Sequence, residues 1–552
     1  MVGVIANDSD AQVVREFFEL FKTPWENYQP ERSYDVVLMC GRDNIPTSSV
    51  KVLVHYSTSQ ILVDFDGKAD LQNEARNLMY NGWRIPIYGT SSLFPNVGTL
   101  LLTDEGTSRS AGYKSQVGAT RYYRIGYELF GEIRRLLTIG QPPENAGIPT
   151  VEVHIALLRD VMIDAGVTFV EVPPMPEGFP FIVCLTHDMD HPALRFHKWD
   201  HTLFGFFYRA IWDSLIQVLK GRRPVSHLWR NYLAAAKVPF IHLGLARDFW
   251  YEFNRYVDLD GSPATYFVLP FKGRPGLTAS GEAPSIRASS YGAEDIADKL
   301  DMLMSSGMEI GLHGIDAWID AARGQEEKAQ IAKIANGECL GVRMHWLYFK
   351  EDSYETLEKS GFAYDSTIGF NETIGFRAGT TQLYKPLQAK RLLEIPLHVM
   401  DTALFYPGCL NLSFDDAASK IGDVVDATAR FGGVVTFNWH DRSIAPERGW
   451  GEFYATLVHR LKQKGGWCTN ASNTVAWFQE RRGICFKRTD QGLEVTRAVG
   501  QWRSAKDSPN LKVRIYNSYK RDGRRSDEYV DLSINHDVAI DRRGVVSKMA
   551  AS

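Results

Sequence analysis

The segment CLTHDMDHP (184–192) packs Thr186, His187, Asp188, Asp190 and His191 into six positions at the end of an apolar run. Side chains alternate across an extended backbone, so Asp188 and Asp190 point to one side. Two carboxylates that close repel unless a cation or a shared proton offsets them. A divalent metal does so, with one carboxylate bound to it and the other accepting a proton from water. A carboxylate pair capping a turn is the structural alternative, and Pro192 and the flanking histidines weigh against it. In MEIGLHGIDAW (308–318) a strand ends at His313, with Asp316 three residues on. A strand-end imidazole suits a zinc-like ion, or an ordinary hydrogen-bonded role. In GVRMHWLYF (341–349), Arg343 and His345 share one side of a strand and Trp346 follows. Arginine there can hold a carboxylate bidentately. In VVTFNWHDRS (434–443) a buried-type strand delivers His440, which can protonate a leaving amine or alkoxide. Together the four clusters supply base, metal ligand, carboxylate holder and acid.

These clusters need parallel strands that end at one mouth. FIVCLT (181–186), ATYFVL (264–269), MEIGLH (308–313), CLGVRM (339–344), FAYDST (362–367), LLEIPL (392–397), VVTFNW (434–439) and GWCTN (466–470) read as strands. Helical stretches such as 293–307 and 351–361 separate most of them, the pattern of a parallel α/β barrel or open sheet. Ionisable residues gather at the strands' C-terminal ends, which favours the barrel. Residues 1–175 alternate β-branched runs (51–56, 83–88, 99–103) with helical stretches, and 122–140 has the spacing of a helix ending at Gly140. They form an N-terminal α/β accessory domain without a phosphate loop. VPPMPEGFP (172–180) reads as a linker. Residues 178–480 form the barrel, with a helical insertion at about 191–262. That insertion is either an interfacial anchor beside Lys220, Arg222 and Arg223, or a lid or core helix packed on the barrel with Arg209 and Asp213 as an i,i+4 pair. Residues 481–552 form a small β appendage, with a hairpin signal at Asp522-Gly523. Its Lys512, Arg514, Lys520, Arg521, Arg524 and Arg525, beside Tyr516 and Tyr519, either grip an anion or form a solvated face.

The 552 residues carry 62 Lys+Arg against 66 Asp+Glu, with 44% apolar residues. That composition describes an ordinary globular enzyme, and its formal charge of −4 asks for no nucleic-acid partner. The 13 Trp, 24 Tyr and 29 Phe suit sugar stacking or core packing equally. Six scattered cysteines without a CxxC pair argue against a disulfide framework or thiolate zinc site. No secretory leader or bilayer-spanning run is visible, so a cytoplasmic location is expected.

The order of the blocks resembles the polysaccharide deacetylase family, whose NodB-homology domain is a distorted (β/α)7-8 barrel. The similarity covers roughly residues 178–480. It implies a divalent metal, most often zinc, on one Asp and two His. Carried over, THDMD makes Asp188 the base and Asp190 a metal ligand; His313 matches the first histidine of the second motif. Arg343 matches the arginine that orients the base, and His440 the acid. LLEIPLHVMD (392–401) resembles the block before the fourth motif and ends at Asp401. The family's second motif carries another histidine four positions on, where this chain has Ala317. His345 is the first candidate for the missing ligand, Asp316 the second, and His187 or His191 further ones. YDSTIGFNETIGFRAGT (364–380), with THDxD and RxHW, is similar to a bacterial subgroup linked to surface-polysaccharide and lipopolysaccharide synthesis.

The resemblance implies a hydrolase that removes an N-acetyl group from a bacterial glycan or its sugar precursor. Trp346, Trp439 and Asp401 are expected to bind that substrate. An O-deacetylase or small-molecule amidohydrolase would use the same residues, and a metal-free barrel would serve as a glycan-binding module. Peripheral membrane contact is a further possibility, and the sequence does not fix the oligomeric state.

Overall fold

The computed structural model describes residues 1–42, 50–59, 70–72, 76–95, 98–221, 223–335, 339–490, 492–497, 508–516, 529–534, 538–541 and 546–548. At its centre lies a parallel sheet of nine strands: β1 (Ile182–Met189), β2 (Thr265–Val268), β3 (Glu309–Gly314), β4 (Gly341–Met344), β5 (Tyr364–Asp365), β6 (Leu393–Glu394), β7 (Val399–Met400), β8 (Val434–Asn438) and β9 (Trp467–Thr469). Their order is β6-β5-β4-β3-β2-β1-β8-β7. One side of β1 is shared: β9 pairs with residues 182–184, and β2 takes over at 186–189. Nearly every residue of these strands is buried, which is why they read as apolar runs without alternation.

The eight strands expected from sequence are all present; β7 was not anticipated. The two edge strands, β6 and β7, are consecutive in the chain and only residues 395–398 separate them. The sheet therefore curls back on itself, but among the described residues no ladder joins β6 to β7. This differs from a closed (β/α)7-8 barrel. β5, β6 and β7 are two residues long, and Pro396 in the connection lacks the N–H a ladder needs.

The N-terminal residues build a mixed nine-stranded sheet whose first strands, Trp25–Asn27, Val2–Ile5, Val36–Cys40, Val52–Tyr56 and Thr120–Ile125, pair in parallel. Residues 120–125 correct the helix expected over 122–140. They form a strand between Val52–Tyr56 and Ser110–Val117, and the helix spans only Leu129–Thr138. Gly126 marks the change, because a Cβ there would lie 2.2 Å from the Ser92 carbonyl oxygen. Local spacing gave way to strand pairing of β-prone tyrosines. The expected linker is irregular but largely buried: the Val172 amide donates to the Lys22 carbonyl (2.9 Å), and the Gly433 amide to that of Pro174 (2.5 Å). Arg482 pairs with Glu16 at 2.8 Å, and Gln141 Nε2 donates to the Phe376 carbonyl at 2.6 Å, so the two sheets are packed firmly together.

At the C-terminus, Lys512–Tyr516 pairs antiparallel with Tyr529–Ser533 and with Phe169–Glu171. The Asp522-Gly523 turn lies outside the described residues, as do Tyr519, Lys520, Arg521, Arg524 and Arg525. Lys512 and Arg514 both pair with Asp531, at 3.1 and 2.7 Å, and so are not free to grip an anion. In the insertion, helices His201–Phe207, Ser214–Leu219 and Val225–His242 flank a π-helical turn at Tyr208–Asp213. Arg222 lies outside the described residues. The π turn breaks the i,i+4 geometry: Asp213 accepts from Gln217 (3.1 Å) and makes no ion pair with Arg209. Among the described residues no helix is long and apolar enough to cross a membrane.

β4 carries Arg343 and leads into His345, and its start is sterically fixed. A Cβ at Gly341 would lie 1.8 Å from the Tyr364 ring, which is buried and donates to Glu309 at 2.8 Å. Gly341→Ala is therefore expected to lose about 2 kcal/mol of stability or more in denaturant unfolding. An unchanged unfolding midpoint would contradict this packing.

Candidate active site

Four strand ends meet at one mouth. β1 delivers Asp188 and Asp190, β3 delivers His313, β4 delivers Arg343 and leads into His345, and β8 leads into His440. The register places His313 beside Arg343 and Thr186 beside Asn438.

Asp188 is buried and fully engaged. Arg343 Nη1 donates to its Oδ1 at 2.9 Å and Asn438 Nδ2 to its Oδ2 at 2.6 Å, while its own amide donates to Asn438 Oδ1. Arg343 is itself locked by Thr186 Oγ1 (2.6 Å), Ser366 O (3.0 Å) and Ser366 Oγ (2.8 Å). Burial alone would raise the Asp188 carboxyl; Arg343, with His313 and His440, overrides it and holds the group below the ordinary value. Asp188 is thus an ionised carboxylate in a dry setting.

Asp190 is arranged differently. His313 Nε2 lies 3.2 Å and His345 Nε2 3.6 Å from its Oδ1, and His440 Nε2 lies 3.8 Å from its Oδ2. Oδ1 is buried and has no hydrogen-bond partner. Burial would raise this carboxyl too, yet the imidazoles around it, the charged His440 among them, hold it well below the usual range. His313 Nδ1 donates to the Arg343 carbonyl at 3.0 Å, which turns the lone pair of Nε2 toward Asp190. Burial pushes His345 down to about 3, so this imidazole is neutral. One ligand atom each from Asp190, His313 and His345 lie within 4.8 Å of one another. A tetrahedral zinc site with bonds near 2.0–2.1 Å has ligand–ligand edges of about 3.3 Å, which the 3.2 and 3.6 Å separations of Asp190 Oδ1 from His313 and His345 resemble. A buried unpartnered carboxylate oxygen facing two neutral-capable imidazoles is a fitting site for a divalent cation.

Of the alternatives for the third ligand, only His345 joins this cluster. Asp316 accepts from the Leu277 amide and pairs with Arg323, His187 is held between the Trp439 carbonyl and Asp260, and His191 faces His197. Ala317 is packed into the core. Past His345 the backbone takes left-handed values at Trp346 (φ 66°) and Leu347 (φ 54°), a conformation that costs non-glycine residues energy and is often kept at functional sites.

His440 sits on the far side of Asp190. Its Nδ1 and Asp401 Oδ1 are 2.6 Å apart, and its amide donates to Asp401 Oδ2 at 2.8 Å. Burial would lower this imidazole, but Asp401, then Asp190 and Asp188, lift it to about 10. Asp401 itself is buried and also accepts from the Ser443 hydroxyl. This corrects the expectation that Asp401 binds substrate: it orients and charges His440. Trp439 is likewise corrected. It is fully buried, stacked 5.0 Å from Tyr454 and 6.0 Å from Phe453, so it belongs to the core. Trp346 is 39% exposed and lines a cavity of about 1270 Å³ with Asp190, His191 and His345.

Sequence reasoning missed the residues that hold the others. Asn438 was inside the quoted VVTFNW strand, and Ser366 inside YDSTIGF. Arg287 had no local signal: buried, it donates through Nη2 to both the Ile315 and His345 carbonyls (2.9 Å each), tying together the loops after β3 and β4. Glu327 accepts from the Ile315 and Asp316 amides and fixes the turn after His313.

No known family profile matches the sequence, and no curated protein matches it. Solved structures do. A provisionally assigned polysaccharide deacetylase from Mycobacterium smegmatis is 16% identical, with 56% of this chain and 95% of that one covered and a TM-score of 0.34. A family 4 carbohydrate esterase from Streptomyces lividans, in complex with acetate, is 14% identical over 53% and 93% of the chains, with a TM-score of 0.25. A polysaccharide deacetylase from Bacillus cereus is 14% identical over 41% and 87%, with a TM-score of 0.24. Similarity this low carries no weight of its own; the chemistry rests on the geometry above.

The Asp401 pair has a consequence for titration. His440 is raised above its unfolded value, so the pair stabilises the fold below pH ~6.5 and loses its effect as pH rises through about 10. In Asp401→Asn, imidazole NMR should show His440 titrating at clearly lower pH. The stability gap to the parent should be widest near pH 6 and close above pH 10. A His440 that titrates near 6.5 in both proteins would contradict the assignment.

Proposed function

We propose that the chain is a divalent-cation-dependent deacetylase of the polysaccharide deacetylase type, removing an N-acetyl group from a sugar of a bacterial surface polysaccharide, lipopolysaccharide or their precursors. The observation that carries this reading is the division of labour at one mouth: an ionised carboxylate, a cation-ready triad and a protonated imidazole within a few ångströms. Asp190, His313 and His345 would hold the ion, most suitably zinc given one oxygen and two nitrogen donors. Such an ion polarises an acyl carbonyl and makes water more acidic.

The protein's own groups supply the rest. Asp188, kept ionised and aimed by Arg343 and Asn438, takes the proton from attacking water as its oxygen bonds to the acyl carbon. His440 then gives the proton on Nε2 to the nitrogen as the C–N bond breaks, leaving acetate and a free amine. Asp401 keeps that imidazole charged and oriented until then. Trp346, half-exposed on the cavity wall beside His345, offers a face for stacking on the sugar ring.

Incubation of the zinc-loaded protein with N-acetylated amino sugars is expected to release acetate, with the matching free amine. Asp188→Asn should lower kcat by about 10²–10⁴-fold while metal content stays unchanged. Release from acetyl esters alone would make the protein an O-deacetylase. A folded, metal-loaded protein that releases acetate from neither would overturn the enzymatic reading in favour of a glycan-binding module.

A further inference from the structure

Asp190 and His345 line the cavity, and so do three guanidinium groups, from Arg209, Arg442 and Arg448. Among the described residues no carboxylate lies within the 4.0 Å of an ion pair from any of them. Arg209 projects from the π-helical turn, and its Nε and Nη2 are buried without a hydrogen-bond partner. Arg448 is 8% exposed; Nη2 donates to the Tyr406 hydroxyl at 2.5 Å, and Nε has no partner. Glu447, buried between them in sequence and space, has both carboxylate oxygens unpartnered. Burial, then Arg448 and Arg442, push Arg209 down to about 9, whereas Tyr406, Asp441 and Asp190 hold Arg442 above its ordinary value against its burial. Buried guanidinium nitrogens of Arg209 and Arg448 without a hydrogen-bond partner are costly unless an anion joins them, even with Glu447 close by and Asp441 and Asp190 near Arg442. Guanidinium forks match the oxygens of a phosphate, and the free Glu447 oxygens can accept from sugar hydroxyls.

We propose that this arginine cluster in the cavity wall is a phosphate subsite, so that the substrate is an N-acyl sugar bearing a phosphate ester. This rests on the active-site reading above and narrows it. The same chemistry is found in nucleotide-linked and in polyprenyl-phosphate-linked sugars.

The test is calorimetric titration of pyrophosphate into chelator-treated protein. Wild type and Asp190→Asn should bind alike, and Arg448→Met and the less buried Arg442→Met should each bind about tenfold more weakly or worse. Displacement by uridine diphosphate would assign the nucleotide source, and displacement by micellar polyprenyl phosphate the lipid source; either supports the subsite. No binding to wild type, or binding lost in Asp190→Asn but kept in the arginine variants, would overturn it. The readout needs no hydrolysis, so its failure is separable from failure of the acetate assay.

An independent observation concerns the outer face of the insertion. Trp199, Phe204, Trp212, Leu219, Trp229 and Leu243 are all more than half exposed, in one helical segment. Residues 191–250 also hold nine Lys and Arg, Arg209 of the cavity wall among them, against three Asp, in a chain of net charge −4. Exposed aromatic and aliphatic side chains in a basic segment fit the interface of an anionic bilayer. We infer that this face docks on such a membrane, with the cavity, walled partly by the same insertion, opening beside it. The full chain should float with vesicles of phosphatidylethanolamine and phosphatidylglycerol (3:1), bind pure phosphatidylcholine far less, and lose at least tenfold in affinity with Trp212→Ser and Trp229→Ser together. A wild type that stays out of the anionic vesicles, or a patch whose substitution instead abolishes a dimer in solution, would contradict the inference.

Discussion

A buried carboxylate oxygen without a hydrogen-bond partner, facing two imidazole nitrogens, organises the whole site. Asp190 Oδ1 cannot remain so without cost in a protein interior. Everything around it is arranged to present lone pairs to one point and not to satisfy it otherwise. The Arg343 carbonyl fixes the tautomer of His313, burial keeps His345 neutral, and Arg287 ties the loops that carry both histidines. Asp188, two residues away on the same strand face, is spared this fate because Arg343 and Asn438 fill its oxygens. Two chemically identical side chains thus acquire different roles from their surroundings alone.

The fold serves this arrangement through strand register. Parallel pairing puts every strand's C-terminal end at one mouth, and the curl of the sheet brings β8, at 434–438, beside β1. His345 lies one residue beyond β4, where a regular strand would carry the chain away. The left-handed turn at Trp346 and Leu347 redirects the backbone there. The turn leaves His345 Nε2 3.6 Å from Asp190 Oδ1, whereas Ala317 on the β3 loop is packed into the core.

Much of this was legible in the sequence. The strands carried uninterrupted apolar runs because both faces are buried, and the ionisable residues at their ends stood out against those runs. The alternation rule was enough to put Asp188 and Asp190 on one side. What was not legible depended on long-range contacts. Trp439 looked like a substrate contact because it adjoins His440, and Asp401 because it ends the block that resembles the one before the fourth motif, but only packing shows one in the core and the other behind His440. The strand at 120–125 passed for helix because Tyr123 continues the three-and-four spacing of Tyr127, Phe130 and Ile133, and its partners lie far off in sequence. Arg287 has no motif; its role exists only because two loops close over it.

The most direct measurement of the central claim is X-ray absorption at the zinc edge of the purified protein, with metal content by mass spectrometry. The account predicts about one zinc per chain, a first shell of nitrogen and oxygen only with two imidazoles in the scattering, and loss of the metal in His345→Ala as in Asp190→Asn. A site that keeps its full zinc and its two-imidazole signature in His345→Ala would contradict it.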